Sequence, residues 1–260
     1  GLIYGYVNDG FYTVADFESF DSKSRTWKLK EGVVDSSPLS DTPRPGNAKF
    51  KKLTPVDPNS TNPYQLTEAD RTVIGNTTPK FSGGFGLNAT YKGFDMSMFF
   101  NFMYDFDVLN ANKIMLTTWA DNKENNFLMD IASDKRWRNF DDMGNEIRYS
   151  PEVLAEFNKN ATMWNPTSIG RPICMSYAVE DGSFLRLNSA TLGYTLPSVW
   201  TKKVGLSKVR FYVSGNNLFT LTGYSGYDPE VNIATGLTPN IDYNRYPRSR
   251  TYTFGAQLTF

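Results

Sequence analysis

The chain has 260 residues, of which 40% are hydrophobic and 21% are charged, values within the range of ordinary globular proteins. Its 27 basic and 27 acidic residues give a formal charge of zero, which argues against a surface that binds nucleic acid. It contains no histidine and therefore lacks the commonest general base and metal ligand, so we expect no enzyme and no cofactor.

The first 79 residues lack a sustained strand pattern. Residues 1–12 have the character of a short apolar and aromatic strand end, whereas residues 13–79 are polar and contain seven prolines. Prolines at this density predict a long loop with little regular structure. The chain also opens on Gly1 without an initiator methionine or a signal peptide, and we expect it to be part of a longer protein.

Two strands of similar length follow, and they predict a hairpin. Residues 81–91 alternate with apolar or aromatic side chains at odd positions, and residues 94–105 alternate with them at even positions. Successive side chains of a strand point to opposite faces, so each strand has one predominantly apolar face. The connecting pair Lys92 and Gly93 is typical of a tight two-residue turn.

Residues 106–183 show no sustained alternation and predict a second long loop. We expect two short helices within it, over residues 123–137 and 151–158, because helix-forming residues are frequent there. Pro151 suits the first turn of the second helix.

A strand over residues 184–196 comes next, but its alternation changes phase. Apolar residues lie at even positions from Ala190 onward and at odd positions, Leu185 and Leu187, before it. Either a bulge shifts the register or this end of the strand stands above the lipid.

The last two strands are predicted over residues 208–219 and 250–260, with an irregular segment at 221–249 between them. In the final strand Tyr252, Phe254 and every second residue after them are apolar, and the intervening residues are small or polar. About ten residues at a rise of roughly 3.3 Å and a tilt of about 45° climb about 25 Å, the height of the apolar band of an outer-membrane barrel.

Short and long connections alternate along the chain, as they do in outer-membrane barrels, where turns face the periplasm and long loops face outward. We therefore predict an all-β fold, an antiparallel transmembrane β-barrel, with extracellular loops over 13–79, 106–183 and 221–249. Five strands cannot close a barrel, and an unpaired edge in hydrocarbon leaves its backbone groups unsatisfied at several kcal/mol each. The sheet must be completed by other parts of the protein.

Several runs, in order along the chain, carry a family resemblance. They are DRTVIGN at 70–76, PKFSGGF at 79–85, YKGFD at 91–95, WNPTSIGR at 164–171, EDGSFLRL at 180–187, TLGYTLP at 191–197, YVSGNNLF at 212–219, YSGYDPEV at 224–231 and YPR at 246–248. Together they resemble the carboxyl-terminal part of a SusC/RagA-type TonB-dependent outer-membrane receptor of Bacteroidetes.

This resemblance implies a nutrient importer in the bacterial outer membrane, with a barrel of about 22 strands. It implies that the plug domain and the region that contacts TonB lie outside this chain, and that a SusD-like surface lipoprotein is a partner. The implied substrate is an oligosaccharide or a peptide. The remaining barrel and membrane lipid would surround these strands.

The resemblance and the position at the end of the chain together assign a role to the terminal strand. Tyr252, Phe254, Leu258 and Phe260 are expected to form the signal for assembly into the outer membrane, with Phe260 as its main element. The simpler interpretation of Phe260 is an ordinary lipid-facing strand end.

Trp119, Trp137 and Trp164 are candidates for stacking on the substrate, because they lie in the large predicted loop and loops often carry function. The simpler interpretation is that they form the loop's own small core or contact a partner. A polar set on the opposite strand faces is expected to line water or, more readily, the plug: Asp95, Asn101, Asp105, Arg210, Asn216 and Gln257.

No metal site is expected. Residues 53–63 stand where such receptors often carry an acidic, glycine-rich segment that resembles a calcium loop, but they lack the glycine and most of the carboxylates that such a loop needs. One alternative to the transporter remains open, a soluble, surface-exposed, β-rich glycan-binding module. Such a sandwich would bury its apolar strand faces in one core and would not need strands matched to a bilayer.

Overall fold

The computed structural model describes residues 1–118, 126–231 and 240–260. In chain order its strands are β1 (Leu2–Gly5), β2 (Asn8–Phe11), β3 (Phe17–Asp21), β4 (Thr26–Leu29), β5 (Ala48–Phe50), β6 (Thr72–Asn76), β7 (Phe81–Tyr91), β8 (Phe94–Tyr104), β9 (Asp107–Asn110), β10 (Val179–Asp181), β11 (Phe184–Thr195), β12 (Lys208–Thr222), β13 (Ile241–Asp242) and β14 (Thr251–Thr259).

Helices in the described ranges are few and short. They are α1 (Ala111–Met115), α2 (Pro151–Phe157) and α3 (Ser198–Thr201), with single 3₁₀ turns at Val14–Asp16, Glu68–Asp70, Met129–Ile131, Pro166–Ser168, Ser176–Ala178 and Lys202–Val204. Within the described residues, none of these helices has the length and hydrophobicity needed to span a bilayer. The helix expected over residues 123–137 is wrong in its described part, which contains only the turn at Met129–Ile131. Helix α2 does begin with Pro151 in its first turn.

The chain divides into two compact units. The first, the sheet unit, comprises Gly1, Asn76–Val108 and Glu180–Phe260. It is built on a five-stranded antiparallel sheet in the order β14-β12-β11-β8-β7. The strands lie close to the segments expected from alternation, but β12 continues to Thr222, two residues into the segment predicted to be irregular.

The turn between β7 and β8 follows from its sequence. Lys92 has a φ of 46° and Gly93 a φ of 89°, so both central residues adopt the left-handed conformation that a type I′ turn requires. Pairing then runs without a register shift from Tyr91 and Phe94 at the turn to Phe81 and Tyr104 at the far end.

A bulge explains the change of phase in β11. The register shifts between Leu187 and Ser189 against both neighbouring strands. Before the shift Leu187 pairs with Phe100 and Phe219, and after it Leu192 pairs with Met96 and Val213. The sequence left two explanations open, and the structure shows that the bulge is the correct one. The bulge places Leu185 and Leu187 on the same face as the later apolar residues.

The second unit, the loop unit, comprises Leu2–Gly75 and Leu109–Val179. The prediction of irregular loops over 13–79 and 106–183 requires correction here, because short strands pair as β1 with β6, β2 with β5 and β3 with β4. The largest buried cluster contains Tyr6, Leu39, Ala48, Phe50, Leu66, Ile131, Met163, Trp164, Ile169, Ile173 and Met175. A second cluster contains Trp137, Ile147 and Leu154. These segments therefore form a folded unit with its own hydrophobic core.

Candidate functional site

The register of the sheet unit brings the apolar residues of five strands onto one face, called here the apolar face. In one row across the sheet, Ala89, Met96, Leu192, Val213 and Phe254 are neighbours. The face comprises Leu87, Ala89, Tyr91, Phe94, Met96, Met98, Ala190, Leu192, Tyr194, Val209, Phe211, Val213, Tyr252, Phe254, Ala256 and Leu258. The alternation seen in each strand is thus in phase across the sheet.

Much of the apolar face is open. Phe254 is 81% exposed, and Phe94, Leu192 and Phe211 are about half exposed. Apolar surface left in water costs about 25 cal/mol per Å², and soluble monomers rarely expose contiguous apolar patches larger than a few hundred Å². A surface of this kind needs an apolar environment.

Aromatic rings lie at both ends of β7 and β8, with aliphatic residues between them. At the turn end Phe94 packs on Tyr194 with ring centroids 4.5 Å apart, and Phe81 and Tyr104 pair at the other end. Phe85 stacks on Phe100 at 4.9 Å on the way to that end. Between the turn end and the Phe85–Phe100 pair, the same face carries Leu87, Ala89, Met96 and Met98. Aromatic belts on either side of an aliphatic band are the arrangement found on transmembrane strands, where the rings lie at the level of the lipid head groups.

The opposite face, called here the polar face, carries mostly small and polar side chains, with Phe99 and Tyr212 among them. One row across it consists of Asn88, Ser97, Thr191, Ser214 and Thr253. Of the six polar residues predicted to share a face, the pairing places Asp95, Asn101, Arg210, Asn216 and Gln257 together. Asp105 is the exception: it lies beyond the end of β8, has a φ of 59° and pairs with Lys80.

An ion pair crosses three strands of the polar face. Arg210 of β12 reaches over β11 to Asp95 of β8, and its Nε donates to Asp95 Oδ1 at 2.9 Å. The residue beneath is Gly193, where an added Cβ would lie 2.4 Å from Arg210 Nη2. A larger residue there would displace the guanidinium, so the glycine makes the crossing possible.

One end of the polar face is covered by residues 223–231, which follow β12. Arg186, only 2% exposed, pairs with Asp228, and its Nη1 lies 3.6 Å from Glu230 Oε2. Glu230 also accepts a hydrogen bond from Arg248 at 2.8 Å. These residues belong to the EDGSFLRL, YSGYDPEV and YPR runs, but no sequence pattern predicts that they pair; the only local signal is a charged residue, Arg186, within the phase break of β11.

Tyr224 anchors the same segment. It is buried with Phe106, Val108, Phe184 and Val231, and its hydroxyl donates to Asp242 at 2.7 Å. Burial, followed by the hydrogen bond to the Asp242 carboxylate and the charge of that group, raises the pKa of Tyr224 far above its ordinary value. The phenol therefore stays protonated and serves as a fixed donor.

The terminal strand presents its apolar residues outward. Phe260 is 90% exposed, and Tyr252 and Leu258 are also exposed. Ser207 Oγ donates to the backbone oxygens of Thr259 at 2.9 Å and Phe260 at 3.3 Å. Within the described residues, β14 pairs with β12 alone and β7 with β8 alone, so the sheet has two open edges.

The tryptophan candidates for substrate stacking require correction. Trp164 is 1% exposed and belongs to the main cluster of the loop unit, and Trp137 is 3% exposed and belongs to the second cluster. Trp137 packs so closely on Gly46 that an added Cβ would lie 2.2 Å from its ring, and Gly46 has a φ of 89°. Neither indole offers a free face to a sugar ring, and Trp119 lies outside the described residues.

Asp70, the first residue of the DRTVIGN run, organises part of the loop unit. Its fully buried carboxylate accepts hydrogen bonds from the backbone and hydroxyl of both Thr54 and Thr67 and from the Leu53 backbone, and it lies 3.4 Å from Lys52 Nζ. Burial alone would raise the pKa of Asp70, but these hydrogen bonds outweigh it and hold the pKa well below the ordinary carboxyl value. The carboxylate joins two loop segments.

No group of three or more potential metal ligands occurs in the part of the chain that the structure describes. Asp57 is exposed, and its carboxylate accepts a hydrogen bond from the Asn59 backbone at 2.9 Å, which forms a local turn. The expectation that residues 53–63 bind no calcium stays a prediction.

No protein-family model matches the chain. The TonB-dependent receptor P3 of Formosa agariphila is 33% identical over 266 residues, which covers 100% of this chain and 22% of that receptor. The TonB-dependent receptor SusC of Bacteroides thetaiotaomicron is 38% identical over 88 residues, which covers 32% of this chain and 8% of SusC. The chain spans about a fifth of the length of the first curated relatives it matches.

Solved structures of the RagAB peptide importer are similar in fold. The closed-closed state superposes with a TM-score of 0.61 at 22% identity and covers 99% of this chain and 23% of that chain. The open-open state gives a TM-score of 0.59 at 23% identity and covers 99% of this chain and 22% of that chain. At this identity the likeness establishes the mostly β fold, and the relatives are receptors and importers rather than enzymes.

Proposed function

Because the chain belongs to the SusC/RagA-type TonB-dependent receptors, we propose that it supplies part of the wall and the outer segments of a nutrient importer in the bacterial outer membrane. The observation that carries this proposal is the open apolar face, which continues in register across five strands. A lipid bilayer is the environment that removes the cost of exposing it.

The two open edges of the sheet, at β7 and β14, pair with other strands of the same receptor in this proposal. Hydrocarbon offers no hydrogen bonds to an unpaired edge, so the complete sheet closes, with about 22 strands as in plugged outer-membrane transporters. The segments over 13–79, 106–183 and 221–249 face the cell exterior. The polar face, with Asp95 and Arg210, faces the water-filled interior or the plug.

The transported substrate is an oligosaccharide or a peptide, taken up together with a SusD-like surface lipoprotein and driven through TonB, which contacts the receptor outside this chain. Support for this step comes from relatives alone, because SusC and the RagAB peptide importer are the similar proteins. Uptake of a labelled oligosaccharide and a labelled peptide by cells with and without the receptor gene distinguishes the two substrates.

The alternative, a soluble glycan-binding module, predicts a different surface. A sandwich packs a second sheet about 10 Å from the first and covers its apolar face. Phe254 and Phe211 instead remain open. The test is extraction of the native receptor from cell membranes: we expect it to resist alkaline carbonate and to require detergent, and release into buffer without detergent would reject the membrane proposal.

The assembly role of the terminal strand is tested separately. Phe260→Ala is expected to lower the yield of assembled, heat-modifiable receptor in the outer membrane, while the neighbouring change Thr259→Ala leaves the yield near that of the wild type. Equal yields from both variants would mean that Phe260 is an ordinary strand end.

A further inference from the structure

A small cavity in the loop unit is lined by three arginines. Arg25, Arg44 and Arg148 border a space of about 80 Å³, together with Trp27 and Tyr149. A space of about 10–15 Å³, measured in the same way, is enough to hold one water molecule. The cavity therefore has room for several water molecules or a small charged group.

Two of these arginines carry uncompensated charge. Arg148 Nε lies 2.5 Å from Glu146 Oε1, whereas Arg25 and Arg44 have no ion pair within the described residues. Asp41 also borders the cavity but is not within ion-pair distance of any of the three. The cavity is therefore electropositive, and its free guanidinium groups present planar sets of N–H donors.

The position of Arg25 is fixed by its turn. It lies in the connection between β3 and β4 with a φ of 56°, a conformation that residues other than glycine seldom adopt. Asp21 holds this turn by accepting hydrogen bonds from the Lys23 backbone at 2.9 Å and from Ser24 Oγ at 2.6 Å. The guanidinium carbon of Arg25 lies 4.7 Å from the centre of the Tyr149 ring, which orients it by a cation–π contact.

A larger and more open pocket adjoins the cavity. It has a volume of about 380 Å³ and shares Asn139, Arg148 and Thr167 with the smaller space. Trp137 also borders it, and the Trp137 indole N–H is buried without a hydrogen-bond partner. Because this nitrogen is closed off from solvent, a ligand in the pocket contacts the other lining residues and not the indole donor.

We propose that the two spaces together bind an anionic ligand, with a carboxylate or sulfate group between Arg25 and Arg44 and the remainder of the ligand in the larger pocket. Arginine forks bind such planar or tetrahedral oxyanions through paired, charge-assisted hydrogen bonds. The ligand is an acidic saccharide or an acidic peptide, since both present this group. The choice between saccharide and peptide rests on the proposed import function, whereas the anion site is argued from the loop unit alone, so a failure to bind would leave the membrane proposal standing.

The test is calorimetric titration of the purified full-length receptor in detergent with tri-galacturonate, a sulfated trisaccharide, hexaglutamate and neutral maltotriose. We expect at least one anionic probe to bind, more weakly at high salt, and maltotriose not to bind. The probe that binds identifies the source of the anion. No binding by any anionic probe, or equal binding of maltotriose, would overturn the proposal.

Variants assign the binding to this cavity. Arg25→Asn with Arg44→Gln removes both free charges, and asparagine tolerates the positive φ, so affinity should fall at least about tenfold. Lys23→Gln removes one charge from the same turn but does not border the cavity, and affinity should hold. An unchanged double variant, or an equal loss in Lys23→Gln, contradicts the proposal.

A variant that binds more tightly shows that the losses in the arginine variants are not caused by misfolding. Asp41→Asn removes the one carboxylate that borders the cavity, so anionic probes should bind more tightly. A misfolded receptor could not produce this result. Weaker or unchanged binding of Asp41→Asn would mean that the anion does not occupy the cavity.

Discussion

The loop unit and the sheet unit contain similar apolar side chains but place them differently. In the loop unit Tyr12, Phe50 and Trp164 are buried in clusters, whereas in the sheet unit Phe94 and Phe254 point outward. Both arrangements follow from the same tendency to remove apolar surface from water. In the proposed receptor the loop unit therefore meets water on its outside and the sheet unit meets lipid.

The largest expected effect comes from the core of the loop unit. Trp164→Ala should destabilise that unit by about 3–5 kcal/mol, because it deletes a fully buried ring and leaves a cavity. Hydrogen exchange of the loop-unit amides in the full receptor would measure the loss. The control is Trp200→Ala, the same change at an exposed position. If both variants lost the same stability, burial would not explain the role of Trp164.

A charge on the apolar face is the next test. Phe254→Arg should reduce the free energy of folding into lipid vesicles by about 2–4 kcal/mol if its side chain faces the bilayer midplane. Thr253→Arg places the same charge one residue away on the polar face and should have little effect. Urea titration of folding into vesicles measures the free energy of folding of both variants. If both lost the same amount, the two faces of β14 would not differ in their contact with lipid.

Loss of the buried Asp70 charge should cost the loop unit about 1.5–3 kcal/mol, the range for hydrogen bonds to a charged group. The pKa of this carboxyl is lower in the folded than in the unfolded state. Its stabilisation is therefore complete above the ordinary carboxyl pKa of about 3.9 and declines as the pH falls below it.

Acid titration of the wild type and of Asp70→Asn checks this sign. The wild type should lose stability below about pH 3.9 more steeply than the variant, since only the wild type must protonate Asp70. Asp57→Asn, at an exposed position, serves as the control. If the stabilities of wild type and Asp70→Asn fell in parallel as the pH is lowered, the low pKa of Asp70 would not contribute to folding stability.

The smallest expected effect concerns Tyr224, one of the side chains that the sheet unit buries. Tyr224→Phe removes the donor to Asp242 and should weaken the packing of residues 223–231 by about 1 kcal/mol. Faster hydrogen exchange of these amides would report it. Tyr227→Phe, at an exposed position, is the matched control, and an identical response from both variants would remove the special role of Tyr224.

Sequence alternation located the long strands because one face of the sheet carries mainly apolar side chains and the other mainly small and polar ones. Strand β7 occupies Phe81–Tyr91, where the pattern is regular, and the turn at Lys92 and Gly93 fixes its pairing with β8. In β11 the pattern indicated a disturbance but could not decide that a bulge produces it, because that depends on both neighbouring strands.

The loop unit could not be predicted in the same way, because its strands are short and its packing joins distant residues. Trp137 needs Gly46, which lies far away in the chain, and Asp70 binds Thr54 across an intervening loop. No local sequence pattern predicts such contacts. The cavity between Arg25 and Arg44 likewise depends on residues that only the folded unit brings together.

The most direct test of the central claim is cysteine scanning of β14 in the full receptor in native membranes, with Cys174 replaced. Residues 252, 254, 256 and 258 should react slowly with a water-soluble maleimide, and a fluorophore there should be quenched by brominated lipid. Residues 251, 253, 255 and 257 should behave in the opposite way. Uniform labelling, or quenching at the odd positions, would contradict a lipid-facing apolar surface.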